Sequence, residues 1–155
     1  MERRKRLLAY CGIYCGDCLG QTGVIADAAK EFKEVLEGYR FDLTAESIFP
    51  KELKNYEMFS EVLGFMTNLR CPWICRERGD TDVSCEVRRC CKGRGFYACF
   101  ECNDLEACDK LRSAHGGLHA DSCLKNLRAV REMGLENWAT KGKRHHYWDE
   151  RDERP

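Results

Sequence analysis

Hydrophobic residues recur every three or four positions in four stretches of this chain, which is the period of an amphipathic α-helix. The first stretch runs from about residue 21 to 37, and Gly38 then provides a C-terminal stop. The other three run over about 55–69, 104–111 and 121–133. The pattern therefore predicts four helices, separated by segments in which no period is sustained.

The segment between Cys71 and Cys102 has no sustained period and is rich in cysteine, glycine and charge. We expect loops and short strands there, organised by metal. Leu, Ile, Val and Phe make up only about a fifth of the 155 residues, the lower edge of what a packed core uses. The expected fold class is α+β and mainly helical. It is a small single domain over 1–148, with an irregular Cys-rich, zinc-stabilised region and a charged tail over 149–155.

Twelve cysteines can supplement this small core, either as disulfides or as metal ligands. The basic N-terminus lacks the apolar run of roughly 7–15 residues found in a secretory signal. No other run approaches the roughly 20 apolar residues of a membrane span. We therefore expect a cytoplasmic protein without membrane contact, whose thiols stay reduced. Closely spaced cysteines in that compartment favour metal sites over disulfides.

The spacing of the cysteines predicts two zinc ions, each held by four thiolates. A gap of two residues lets one turn direct two thiolates at the same ion, with sulfur about 2.3 Å from zinc. The first predicted site joins Cys15 and Cys18 to Cys71 and Cys75, across both long helices.

The second predicted site is local and resembles a zinc ribbon. Its ligands would be Cys85, Cys90, Cys99 and Cys102. Cys11 and Cys108 could replace a member of either site or form a partial third one. Cys91 directly follows a predicted ligand and should point elsewhere, and Cys123 stands alone on a helix. Both are expected to be small buried hydrophobes.

The same thiols allow two iron–sulfur interpretations. Cys11-x3-Cys15-x2-Cys18 has the spacing of radical S-adenosylmethionine enzymes, but those need a barrel, which typically takes roughly 200 or more residues. A different iron–sulfur cluster stays open, since four thiolates serve either zinc or a cluster. An enzyme would use these three cysteines as a metal-dependent or iron–sulfur redox site with one open position.

Basic residues crowd the segment over 70–94 beside these thiols. They are Arg70, Arg76, Arg78, Arg88, Arg89, Lys92 and Arg94. One interpretation is a nucleic-acid-binding surface, supported by nearby aromatic residues. The favoured one is neutralisation, because a zinc ion with four thiolates carries a net charge of about −2. His115 and His119 are four residues apart, but two glycines between them favour a loop over a shared helix face.

Residues 9–18, AYCGIYCGDC, resemble the signature of an uncharacterised prokaryotic family called domain of unknown function 3795. The similarity continues in the same order through Cys71 and Cys75, residues 85–90 and 99–102, Cys108, and residues 133–138. The resemblance implies a bacterial or archaeal cytosolic protein with a zinc-binding cysteine framework. It implies no activity. The pair at 71 and 75 is more widely spaced than the resemblance would suggest.

These observations favour a zinc-binding protein with structural sites, acting as a binding or regulatory module toward another protein or a small ligand. Closed four-thiolate sites leave no position for water, so we expect zinc to stabilise the fold rather than to catalyse. An enzyme using Cys11, Cys15 and Cys18 is the first alternative. Nucleic-acid binding through the Arg-rich segment over 70–94 is the second.

Overall fold

The computed structural model describes residues 2–77 and 84–149, which form nine α-helices and several short 3-10 turns. The helices are α1 (Glu2–Arg6), α2 (Leu19–Thr22), α3 (Val24–Gly38), α4 (Phe41–Ser47), α5 (Tyr56–Met66), α6 (Glu86–Arg94), α7 (Asp109–Ser113), α8 (Ala120–Met133) and α9 (Leu135–Lys141). The 3-10 turns span Cys99–Glu101, Leu105–Ala107 and Ala114–Gly117. Among these residues, no helix is long and apolar enough to cross a membrane. The mainly helical class is confirmed.

The β component is smaller than expected. Within the described residues the only β pairing is one bridge between Leu8 and Tyr14. Where short strands were predicted, between Cys71 and Cys102, the chain forms α6 instead. Residues 78–83 of that segment and 150–155 of the predicted tail lie outside the described residues.

Two of the four predicted helices form close to their predicted bounds, as α5 and α8. The helix predicted over 21–37 is divided into α2 and α3 at Gly23, which has a positive φ of 74°. The helix predicted over 104–111 is replaced by a 3-10 turn and α7. The division at Gly23 is favoured because glycine adopts this left-handed conformation without a steric penalty.

Helix α6 was missed because its sequence, EVRRCCKGR, is charged and has no apolar stripe. Its ends explain why it forms. The Cys85 sulfur caps its first turn by accepting a hydrogen bond from the Arg88 backbone N–H at 3.5 Å. Gly95, at φ 70°, ends it in the left-handed conformation typical of helix C-termini. Buried Val87 and Cys91 anchor its inner face.

The chain groups into two compact units. We call Leu19–Pro72 the helical unit, and Met1–Cys18 together with Trp73–Pro155 the Cys-rich unit. The single domain over 1–148 stays a prediction, and each unit is described separately. In the helical unit α3 packs against α5, and its buried residues are small or few: Ala26, Ala29, Ala45 and Leu63.

The Cys-rich unit has the larger core, centred on Trp138, whose side chain is 0 % exposed. The Tyr14 ring meets the Trp138 ring edge-on, with centroids 5.7 Å apart. The buried Asn126 amide donates hydrogen bonds to the carbonyl oxygens of Gly12 and His145, each at 3.0 Å. Four cysteines, Cys11, Cys91, Cys99 and Cys123, are buried in the same core. Thiols therefore provide part of the packing in this unit.

Candidate thiol centres

Five cysteines line one cavity of about 20 Å³ in the Cys-rich unit, which we call the cysteine cavity. They are Cys90, Cys91, Cys99, Cys102 and Cys108. The remaining wall is formed by Val87, Phe96, Leu105 and Lys110. A volume of this size accommodates about one water-sized sphere.

Local backbone structure brings these thiols together. Helix α6 carries two of them, and Gly95 turns the chain back so that the Phe96 N–H donates to the Cys91 carbonyl at 2.9 Å. The turn Cys99–Glu101 then closes with the Cys102 N–H donating to the Cys99 carbonyl at 3.0 Å. The two-residue gap thus forms a tight turn, as its spacing predicts. Cys108 immediately precedes α7.

The sulfur atoms contact each other and nearby cationic groups. Cys91 Sγ lies 3.5 Å from Cys99 Sγ, close to the roughly 3.8 Å that separates two sulfurs on a tetrahedral zinc. This hydrogen bond and burial both raise the pKa of Cys99, whereas the same bond lowers the pKa of Cys91 against the opposing effect of burial. The Cys102 sulfur accepts a hydrogen bond from Arg94 Nη1 at 3.5 Å. Cys90 and Cys102 both raise the pKa of Arg94, so the guanidinium lies near two thiols.

The thiols line the cavity without forming a coordination sphere. Over residues 2–77 and 84–149, no group of three or more His, Cys, Asp or Glu side chains is positioned to hold a metal ion. Metal binding at the cysteine cavity would therefore require the sulfurs to converge.

A second thiol centre surrounds Cys11, which is 4 % exposed. Its side chain hydrogen-bonds to Cys123, and its sulfur lies 3.9 Å from His115 Nε2. The contacts with Cys123 and His115, and the Ile13 backbone N–H, hold the pKa of Cys11 well below its usual range. The same bond to Cys11 and burial raise the pKa of Cys123. We call these three residues the Cys11 centre.

Cys15 and Cys75, two members of the first predicted zinc site, are neighbours. The Cys15 sulfur accepts a hydrogen bond from the Cys75 backbone N–H, and the Cys75 sulfur accepts one from the Tyr10 N–H. Burial raises the pKa of Cys15 to about 11, and the nearby thiols of Cys75 and Cys18 add to the shift. Neighbouring thiols with facing backbone amides are compatible with a metal site, but these residues do not form one by themselves.

The remaining predicted ligands lie elsewhere. Cys71 belongs to the helical unit, where its N–H donates to the Gly20 carbonyl at 2.8 Å. Cys85 caps α6 and does not line the cysteine cavity, whereas Cys108, a reserve in the prediction, does. The partition of ligands between two zinc ions stays a prediction.

The sequence-based reasoning missed the roles of Cys91 and Cys123. Both are buried at 2 % exposure, as expected of small hydrophobes, but each sulfur contacts another thiol. Cys91 lines the same cavity as Cys90, although the two residues are adjacent in sequence. The adjacency of the two cysteines was the available signal. No spacing rule links Cys123 to its partner.

The basic segment over 70–94 is in part internal. The Arg76 guanidinium donates to the carbonyl oxygens of Leu8 and Tyr97, each at 2.8 Å, and stacks 3.8 Å above the Tyr97 ring. Arg88 is buried, at 3 % exposure. Arg78 lies outside the described residues. Arg76 and Arg88 therefore do not contribute an exposed surface for phosphate.

The family model described as "Protein of unknown function (DUF3795)" matches residues 7–113. No curated protein and no solved structure was found to match the chain. The matched range contains every cysteine except Cys123, and with them the whole cysteine cavity. The resemblance proposed for residues 133–138 lies beyond it. Since the match covers more than half of the sequence, this chain belongs to the DUF3795 family of proteins of unknown function.

Proposed function

We propose that this protein binds one zinc ion in the cysteine cavity, as the structural centre of its Cys-rich unit. The observation that carries this proposal is that five cysteines line one space of about 20 Å³. Thiolates are the usual ligands of structural zinc. The proposed ligands are Cys90, Cys99, Cys102 and Cys108.

The surrounding charges support this choice of four. Zinc with four thiolates carries a net charge of about −2, which is costly to bury unless cations lie nearby. Arg94 lies beside Cys90 and Cys102, and Lys110 lines the cavity. Cys91 directly follows Cys90 on α6 and is buried, at 2 % exposure, where its sulfur meets the Cys99 sulfur. We assign it to support that ligand rather than to bind the ion.

Four protein ligands leave no open position for water or substrate, so zinc in this cavity stabilises the fold and does not catalyse. The protein then acts as a binding module built around a metal-stabilised unit. An iron–sulfur cluster at the same thiols is the alternative that the following measurement tests.

Replacing any one proposed ligand by serine is expected to remove one zinc per chain relative to the unmodified protein. The hydroxyl of serine is a much poorer zinc ligand than a thiolate, and three thiolates bind the ion more weakly. The measurement is elemental analysis, with an absorption spectrum, on protein purified without chelator or oxygen. Cys91→Ser is the matched control, because Cys91 lines the same cavity and is expected to leave the zinc content unchanged.

Two outcomes would contradict the proposal. One is a Cys91→Ser variant that loses as much zinc as Cys90→Ser. That result would mean that the set of four ligands is assigned incorrectly. The other is iron in place of zinc, with a broad absorption band near about 400 nm, which is typical of a cluster.

A second observation favours protein binding as the role of the helical unit. Exposed large hydrophobic residues are concentrated there: Val24, Phe32, Val35, Tyr39, Leu43, Ile48, Phe49, Met58, Phe59, Val62 and Phe65. The large apolar residues of α3 and α5, among them Val24, Phe32, Val35, Phe59 and Val62, are therefore largely exposed. Small alanines occupy the buried face of α3 instead.

The exposed residues of α3 and α5 form one surface, because the Phe32 and Phe59 rings contact with centroids 6.2 Å apart. Together with Val35, Met58, Val62 and Phe65 they expose on the order of 600 Å² of apolar area. A stable interface buries about 800 Å² on each partner, so this apolar area is most of what one side of such an interface requires. Helix α3 alternates charge along its length, with Lys30–Glu34 and Lys33–Glu37 pairs at 3.9 and 3.5 Å. Because these charges are paired within α3 and the exposed apolar area approaches that of one side of a stable interface, we infer that a second copy of this chain binds at the apolar surface.

Val62→Glu is expected to convert a dimer to a monomer, because a charge in an apolar interface is desolvated without a partner. The measurement is sedimentation equilibrium at micromolar concentration. Leu118→Glu is the matched control: Leu118 is similarly exposed, at 52 % against 53 % for Val62, but lies in the Cys-rich unit. A monomeric unmodified protein, or equal dissociation in both variants, would overturn the inferred dimer.

A further inference from the structure

The Cys11 centre uses none of the thiols of the cysteine cavity. Cys11 and Cys123 are hydrogen-bonded to each other, and His115 Nε2 lies 3.9 Å from the Cys11 sulfur. We propose that Cys11 and Cys123 form a reversible dithiol–disulfide centre that is oxidised by hydrogen peroxide, with His115 supporting the attacking Cys11 thiolate. This proposal does not rest on zinc binding.

A close backbone approach places the two thiols together. Gly12, at φ 99°, lies so near α8 that a methyl group on it would be 2.7 Å from the Cys123 carbonyl oxygen. The Cys123 N–H in turn donates to the carbonyl of His119, the N-cap residue of α8, at 2.8 Å. Cys123 thus lies in the first turns of a 14-residue helix, beside the loop that carries Cys11.

His115 is held at the thiols in a strained conformation. Its φ of 56° lies in the left-handed region, which disfavours residues other than glycine. Such strain persists where surrounding contacts impose it, and it is common at functional sites. The imidazole packs against the His119 ring, with centroids 5.6 Å apart. Gly116 and Gly117, also at positive φ, complete the turn that directs this ring.

Burial selects the oxidant. Cys11 and Cys123 are 4 % and 2 % exposed, so a bulky disulfide such as a glutathione dimer cannot reach either sulfur. Hydrogen peroxide is little larger than water and can reach a thiol through small fluctuations. The third member of the centre, His115, is exposed to solvent.

The chemistry balances with peroxide as the two-electron oxidant. The Cys11 thiolate attacks one peroxide oxygen, the O–O bond breaks, and the leaving hydroxide takes a proton to become water. Cys11 is then a sulfenic acid. The Cys123 sulfur attacks it, an S–S bond forms, and the hydroxyl leaves with the Cys123 proton as a second water. A thiol reductant returns both residues to the reduced state.

The test is peptide mapping of the full chain after treatment with one equivalent of hydrogen peroxide under otherwise reducing-agent-free conditions. The expected product is a Cys11–Cys123 disulfide, reversed by dithiothreitol. The Cys15–Cys75 pair is the internal control, because these two thiols are neighbours outside the proposed zinc ligands and burial raises the pKa of both. Linkage of Cys15–Cys75 before Cys11–Cys123, or no Cys11–Cys123 linkage, overturns the proposal.

His115→Asn tests the role of the imidazole, since asparagine tolerates the left-handed backbone. Without the imidazole the Cys11 thiolate loses one of the side-chain contacts that stabilise it, so we expect about tenfold slower linkage. An unchanged rate would remove His115 from the proposal. Cys123→Ser is expected to leave Cys11 as a sulfenic acid trapped by dimedone, and a variant that yields no adduct contradicts the reaction order. Zinc content, measured on the same samples, separates these outcomes from failure of the cysteine cavity to bind metal.

Discussion

Cys99→Ser is expected to release one metal ion and to unfold the region from Cys85 to Cys102. Cys99 is 8 % exposed and lies at the centre of the cysteine cavity, in contact with Cys91. A structural zinc contributes on the order of 10 kcal/mol of apparent folding free energy. Whole proteins of this size are stable by only about 5–15 kcal/mol. Few apolar residues besides Val87 and Leu105 are buried around the cavity, so the core there offers little compensation.

Amide hydrogen exchange measures this effect region by region. Amides of α6 and of the turn at Cys99 are expected to lose protection in Cys99→Ser, and equally in the unmodified protein after chelation. Cys71→Ser makes the same chemical change in the helical unit, outside the cavity, and should leave α6 protected. A Cys99→Ser protein with full metal content and an unchanged melting temperature would rule out this site.

Gly12→Ala is expected to destabilise the Cys-rich unit by about 4 kcal/mol, from backbone strain and overpacking together. At φ 99° the backbone is in a conformation that side chains disfavour. The added methyl group would also lie 2.7 Å from the Cys123 carbonyl oxygen and 2.8 Å from Leu127 Cγ. Neither atom can retreat easily, because both belong to α8 and Leu127 is fully buried.

Gly95→Ala separates strain from steric overlap. Gly95 has φ 70°, but a methyl group there would meet nothing within 4 Å. We therefore expect a loss of only about 1 kcal/mol. The measurement is denaturant unfolding of both variants with metal in excess. Equal losses of unfolding free energy in the two variants would mean that the approach of Gly12 to α8 is not a packing constraint. They would also weaken the evidence that this approach positions the Cys11 centre.

Local sequence determined the parts of the fold that depend on neighbouring residues. Helices α5 and α8 were predictable because apolar period and end signals lie within a few residues of each other. The turn at Cys99 and Cys102 followed from their two-residue gap. Helix α6 was not predictable from period, because it is stabilised by the Cys85 cap and by burial of Val87 and Cys91 against distant residues.

The sequence by itself determined that the protein is mainly helical, Cys-rich and a member of its family. Only the tertiary structure decided which thiols are neighbours. Cys11 and His115 are 104 positions apart, and no local rule relates residues at that separation. The Cys11 centre depends on the close approach of the loop at Gly12 to α8. The apolar surface of α3 is exposed because small alanines, rather than the large apolar residues, occupy the buried face of that helix. Both are properties of packing in three dimensions, which hydrophobic period alone does not specify.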